Sequence, residues 1–400
     1  MFANRFPKAW WGTVVLFLVH GFVIATWISR IPAVQSALRL NNFVLGLTLL
    51  ASALGALCSI PVTGLLIGRF GSKRVSVATS VVFSVNLVLP ALAVDAITLA
   101  LALYAFGASA AAMDVAMNAQ AVEVEKEMER PTMSRFHGMF SLGAMLGAAA
   151  GGAVAARGMG TLGHFAVSGA LNVAAVLAVG GRLLDTHDAH KNADHRLAFR
   201  SMPRVLLALS AIGFCILLAE GAMADWTALY LRQVLKAGQG TAAAGYSVFS
   251  AAMATMRFLG DWVTARLGPQ RAVRTGGLVA AVGLGWALSM PDAAWAMPGF
   301  GVAGCGFSII IPLVFGSAGR VQGVAPGAGI ASVTGIGYAG FIAGPPTIGF
   351  LSQSLTLRGA LVVVVLCCVV SALLAGEMEG LDTGKPLVTE ADGFGIAGHL

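Results

Sequence analysis

The stretch Gly64-Leu-Leu-Ile-Gly-Arg-Phe-Gly-Ser-Lys-Arg74 returns in altered form 197 residues later as Asp261-Trp-Val-Thr-Ala-Arg-Leu-Gly-Pro-Gln-Arg271. Arg69, Gly71 and Arg74 fall over Arg266, Gly268 and Arg271. The same shift lays Gly138, Gly143, Gly147 and Gly152 over Gly335, Gly340, Gly344 and Gly349. One frame therefore serves two distant segments. Such a period marks an internal duplication, and it sets the architecture that the rest of the chain has to satisfy.

What is duplicated follows from composition. Of 400 residues 57% are hydrophobic and only 11% charged, with 51 glycines, whereas soluble domains carry about 25% charge. The chain reads as an all-α membrane protein. Stretches such as Leu361 to Leu374 are apolar throughout, which excludes the alternating strands of an outer-membrane barrel. Runs long enough to cross a bilayer are placed at 9–30, 44–67, 75–94, 97–122, 134–156, 164–181, 205–230, 241–263, 275–290, 294–316, 329–351 and 359–376. These predict twelve transmembrane helices. An even number of spans separates the two copies, so they share an orientation, giving parallel repeats related by an axis along the membrane normal.

The domain division follows: a six-helix bundle at 1–180, a polar linker at 181–204, a second bundle at 205–376 and a tail at 377–400. Eighteen of the 25 Lys and Arg residues fall on the side of the N-terminal tail and six on the other, leaving Arg257 inside a helix. That bias puts both termini in the cytoplasm. It also accounts for the net charge of +7 without a nucleic-acid partner. Arg5 and Lys8 precede an apolar run too long for a cleavable signal, so the first span is expected to stay. Cys58, Cys215, Cys305, Cys367 and Cys368 lie in apolar runs without metal-ligand spacing and read as packing thiols. His187, His190 and His195 in the linker read as part of a solvated loop.

A charge at the bilayer centre costs about 2.5 kcal/mol or more, so each one calls for a partner, a wet cavity or a function. The candidates are His20 in the first helix, Asp114 in the fourth, His137 in the fifth, Glu220 and Asp225 in the seventh and Arg257 in the eighth. The third, sixth, ninth and twelfth helices hold none well inside their runs. Gly107, Ala111, Asp114 and Asn118 recur at helical spacing, which draws a small-then-polar stripe along one face. If the fourth and fifth helices form a hairpin, His137 comes level with Asn118 and within reach of Asp114, for proton exchange or as an inert hydrogen-bonded cluster. Glu220 lies about 22 Å along its helix from the linker end, past the midplane, and is the better proton-coupling candidate. Asp225 is placed to pair with Arg30 or Arg232. His20, Trp27 and Arg30 share one side of the first helix, where Trp27 suits either a sugar face or, like Trp226, an interfacial aromatic belt. Arg257 and Asp261, four apart, make an intrahelical pair at the inner end. Pro345 and Pro346 predict a kink.

Four further strings, Trp27-Ile-Ser-Arg-Ile-Pro32, Asp114-Val-Ala-Met-Asn-Ala-Gln120, Phe136-His-Gly-Met-Phe-Ser141 and Glu220-Gly-Ala-Met-Ala-Asp-Trp226, join the repeated loop in a resemblance. The chain resembles the major facilitator superfamily over essentially its whole length, and within it the bacterial branch of the rhizopine-associated membrane protein and its sugar-transporter-like relatives. Gly68 stands where that family usually carries an aspartate, a departure at the acid of its gating pair. The resemblance implies a secondary transporter, working by alternating access in a bacterial inner membrane. Substrate or proton-coupling roles are expected at Asp114, Asn118, His137, Glu220, His20 and Trp27, and gating roles at Arg30, Arg69, Arg74, Asp225, Arg257 and Asp261. The expected partners are a small polar solute such as a sugar or polyol, protons and the lipid bilayer; the expected state is a monomer without cofactor. The rival readings are a drug or metabolite exporter and a solute sensor that moves nothing. No phosphate loop or nucleophile motif supports an enzyme.

Overall fold

With no water to satisfy them in the bilayer, backbone N–H and C=O groups must pair within their own segment, so the apolar runs become helices. A computed structural model describes residues 8–129, 132–185, 202–324 and 326–379, with the side chains of 134, 261 and 326 left out. The linker histidines His187, His190 and His195, and the tail beyond 379, lie outside the described residues. The helices run in the order α1 (Lys8–Ala37), α2 (Asn42–Phe70), α3 (Ser72–Asn86), α4 (Leu89–Leu92), α5 (Ala96–Met128), α6 (Met133–Ala156), α7 (Thr161–Gly180), α8 (Arg204–Gln233), α9 (Gln239–Leu267), α10 (Pro269–Ser289), α11 (Ala293–Phe307), α12 (Ile310–Ala318) and α13 (Pro326–Leu374).

Twelve crossings result. The pair α3 and α4 forms one span and α11 with α12 another, while α13 is two spans joined at Thr356, which alone leaves helical geometry at φ 64°. Pro312 has no N–H to offer the Ser308 carbonyl, and the helix breaks at 308–309, between α11 and α12. The backbone keeps helical φ and ψ through Pro345 and Pro346, where a kink is expected, and leaves them at Thr356. The short loop expected between the last two helices shrinks accordingly.

The duplication extends well beyond the glycines that revealed it. Arg39 and Lys236 both take left-handed φ, 53° and 55°, at the turns after the first and seventh spans. Gly71 and Gly268, at φ 81° and 74°, link the second span to the third and the eighth to the ninth. Asp95 and Asp292 both cap the following helix, accepting from the backbone N–H of Thr98 at 2.8 Å and of Trp295 at 3.1 Å. The Thr98 N–H and hydroxyl hold the exposed Asp95 carboxyl below its usual range. Its contribution is thus present at neutral pH and is lost as pH falls through that lowered value.

Within each repeat, helices touch backbone to backbone at glycine. Gly143 and Gly147 on α6 lie against Leu18 and Phe22 of α1, and their counterparts Gly340 and Gly344 on α13 lie against Phe214 and Leu218 of α8. Gly107 meets Ser52, and Gly304 meets Phe249 at the same relative place. Between repeats, α6 lies along α9 and α2 along α13. At the face away from the chain start, Gly152 abuts Gly240 and Gly349 abuts Asn42 and Gly46.

Toward the face where α1 starts, α2 and α13 carry open positions while α6 stays against α9. Gly64, Gly68 and Gly335 have nothing near them, and Leu65 on α2 is 72% exposed. The two-fold relation breaks at this level, since Gly138 sits under the Phe258 ring of α9 while its counterpart Gly335 faces open space. Among the described residues the repeats meet at the far face, while at the near one α6 still meets α9 and positions on α2 and α13 are open.

This difference is testable by substitution. Gly107→Val should destabilise the purified protein by about 2 kcal/mol or more through overpacking, because a Cβ there overlaps the Ser52 carbonyl. Gly64→Ala should be neutral or stabilising by up to ~1 kcal/mol. Thermal unfolding in detergent would compare them; equal losses would contradict the open position at Gly64.

Candidate functional site

The ionisable residues converge on the space between the repeats. Arg257 on α9 donates from Nη1 to Ser141 Oγ on α6 at 2.6 Å, and its Nη2 lies 3.8 Å from Glu220 Oε1 on α8. The two side chains are 16% and 22% exposed, as expected of groups that line a wet cavity. Arg257 therefore ties an acid of the second repeat to a hydroxyl of the first. Ser141 stands one turn beyond His137, to whose carbonyl it donates at 3.2 Å, so α6 presents both on one face.

On α5, Asn118 Nδ2 donates to the Asp114 carbonyl at 2.8 Å and to its carboxylate at 3.2 Å. Asp114 and His137 interact electrostatically, and His137 also feels Arg257 and His20. Asp114 and Asn118 of the expected stripe thus lie at the cluster, while Gly107, two turns earlier on α5, packs against Ser52 of α2. Tyr246 on α9 and Tyr338 on α13 lie in the field of the same charges. The sequence reading missed both, as well as Ser141; a polar side chain four residues from a membrane histidine was the available signal.

Other candidates sit elsewhere. His20 is 5% exposed; its Nε2 pairs with the Ala110 carbonyl at 3.1 Å and its ring packs between Phe83 and Phe140. It binds α1 to α5. Trp27 is buried between Phe106 and Phe165, and Trp226 is fully buried, so neither stands in an interfacial belt and Trp27 offers no face to a solute. Arg30 donates to the Met159 carbonyl and Arg232 to that of Ala237 at 2.9 Å. Asp225 pairs with neither, and among the described residues it has no ion pair. Arg257 is committed to Glu220 and Ser141, while the Asp261 side chain lies outside the described residues. Arg69 and Arg74 are exposed at the near face, Arg69 stacking over Phe70 at 5.3 Å.

The far face is closed by uncharged groups. Gln233 Nε2 donates to Gln35 Oε1 at 2.8 Å and to Asn42 Oδ1 at 3.1 Å; Asn42 Nδ2 returns a bond to Gln233 Oε1 at 3.2 Å. These three amides join α1, α2 and α8 across the repeats. Gln120 and Glu125 have structural duties. Gln120 bonds Ser72 Oγ and both backbone groups of Leu184, and Glu125 accepts the free N–H groups of Thr132 and Met133 at the start of α6.

Two parallel six-helix repeats, packed together at one face and holding a charged cluster at their seam, define a multi-pass secondary transporter. Residues 12–325 match the Major Facilitator Superfamily, and the chain belongs to that family. It is 35% identical to the uncharacterised transporter y4wD of Sinorhizobium fredii, over 94% of this chain and all of that one. It is 31% identical to the membrane protein MosC of Rhizobium meliloti, over 92% and 90% of the two chains. The fold is similar to that of the nucleoside transporter NupG, with a TM-score of 0.74 at 15% identity, covering 92% of this chain and 99% of the other.

The amide closure carries a prediction. Gln233→Leu removes all the bonds that Gln233 makes to Gln35 and Asn42, so spin labels at the exposed Ser36 and Lys236 should show a longer and broader distance distribution by pulsed electron resonance. An unchanged distribution would mean that the glycine contacts alone hold this face.

Proposed function

We propose that the protein is a proton-coupled carrier of a small polar solute, a sugar, polyol or related metabolite, working by alternating access as a monomer in a bacterial inner membrane. The loop charges support cytoplasmic termini, which would make the near face the cytoplasmic one. On this reading the bundles 1–180 and 205–376 reorient as units about the cluster, joined by the linker 181–204.

The observation that carries the reading is the Arg257 bridge. A cation held between Glu220 and Ser141 gives proton binding something to change. Neutralising Glu220 removes the attraction at 3.8 Å and frees Arg257 to move with one repeat. Asp114 and His137 face the same space and provide a second exchangeable pair, with Asn118 orienting the carboxylate. Tyr246, Tyr338 and Ser141 supply hydroxyl groups suited to a polyhydroxylated solute. An exporter of metabolites would use the same coupling in reverse.

The test is transport into proteoliposomes with and without an imposed pH gradient, for candidate sugars, polyols and other metabolites. Glu220→Gln should abolish gradient-driven accumulation while leaving solute exchange measurable, because the amide mimics the protonated acid permanently. Gradient-insensitive transport by the parent would remove the proton reading. Full coupling in Glu220→Gln would shift the role to Asp114 and His137.

A further inference from the structure

Away from the central cluster, at the far end of the first repeat, Arg30 on α1 and His164 on α7 are each only 3% exposed. Arg30 spends one Nη2 bond on the Met159 carbonyl, but its Nε and Nη1 have no partner, nor does either ring nitrogen of His164. The two side chains interact electrostatically. Among the described residues no carboxylate forms an ion pair with Arg30. An unpaired guanidinium so deeply enclosed is costly enough to demand a counter-charge.

The surroundings are built for an anion. Met159 and Gly160 lead into α7, whose N-cap, Gly160, brings no side-chain cap. The first N–H groups of that 20-residue helix thus lack intrahelical partners, at the positive end of its dipole. Across from them, a Cβ on Gly151 would come 2.6 Å from Ser29 Cβ and 3.4 Å from His164 Cε1. Ser29 and His164 therefore pack closely on Gly151 of α6. Gly160 has open space around it, so an ion can reach the helix start from the surface, and the unpartnered nitrogens of Arg30 and His164 suit an anion small enough to sit between two side chains.

We propose that Arg30, His164 and the start of α7 form a binding site for a small monovalent anion of the halide class. The ion neutralises Arg30 and clamps α1 to α7. It is separate from the transport cluster and does not depend on the identity of the solute.

The experiment is thermal unfolding of the purified full chain while gluconate is replaced by chloride or bromide at constant ionic strength. The unfolding midpoint of the parent should rise saturably by several degrees with either halide. Arg30→Gln should show no such response, and His164→Gln a response saturating only at higher halide. Crystals grown in bromide should give an anomalous peak within hydrogen-bonding distance of Arg30. Should Arg30→Gln fail to fold, the parent, His164→Gln and the bromide map decide alone. A halide-independent parent, an equal response in the variants, or stabilisation by phosphatidylglycerol but not by halide would overturn the proposal.

Discussion

Helix backbones come into contact in this protein where one partner is glycine, and the rest of the structure depends on that approach. Without a hydrophobic driving force between helices in lipid, association rests on close packing, and small residues permit it. Gly143 and Gly147 press α6 onto α1, Gly340 and Gly344 press α13 onto α8, and Gly152 and Gly349 close the far face by meeting the opposite repeat. The same residues that assemble each bundle also provide smooth contact lines along which bundles can rock. Glycine contacts hold by proximity and release without leaving a charge or a large side chain unsatisfied.

The scaffold is symmetric, but the chemistry is not. Shifted by 197 residues, His20 falls on Leu217, Asp114 on Ile311, His137 on Thr334 and Arg257 on Ile60, while Glu220 and Asp225 fall back on Val23 and Ile28. None of the membrane ionisable groups has an ionisable counterpart. Left-handed turns, aspartate caps and glycine contacts recur at their equivalents because they solve the same backbone problem twice. Charges were placed once. A rocking carrier needs this division, since identical bundles permit two related closures whereas a single off-centre cluster makes the two states chemically distinct.

The architecture was legible because the bilayer limits the vocabulary: apolar run length fixed the spans, and loop glycines fixed the repeat. Helical spacing put Asp114 and Asn118 on one face, where they bond each other, whereas Gly107 of the same stripe packs against Ser52 of α2. Trp27 and His20 were misjudged for a physical reason. Spacing tells which residues share a face, but not whether that face meets the cavity or a neighbouring helix, and α1 has neighbours on nearly every side. Arg257 was read only with its own-helix neighbour Asp261, whose side chain lies outside the described residues, and its contacts with Glu220 and Ser141 come from other helices. Long-range partners of that kind leave no local pattern. The amides Gln35, Asn42 and Gln233, near helix ends, read as ordinary loop-proximal polar residues until the fold brought them together.

The two seams differ in what holds them. At the far face the bonds are between neutral amides, each worth about 1 kcal/mol net, and are insensitive to proton binding. At the central cluster the bond is charge-assisted and partly shielded, roughly twice as strong as a neutral one, and on the proposed reading it would respond to the protonation of Glu220. A carrier whose far gate were ionic would couple gate strength to external pH and salt. Neutral amides avoid this, and on the proposed reading control over reorientation would rest with Arg257, which touches Glu220 of its own repeat and Ser141 of the other.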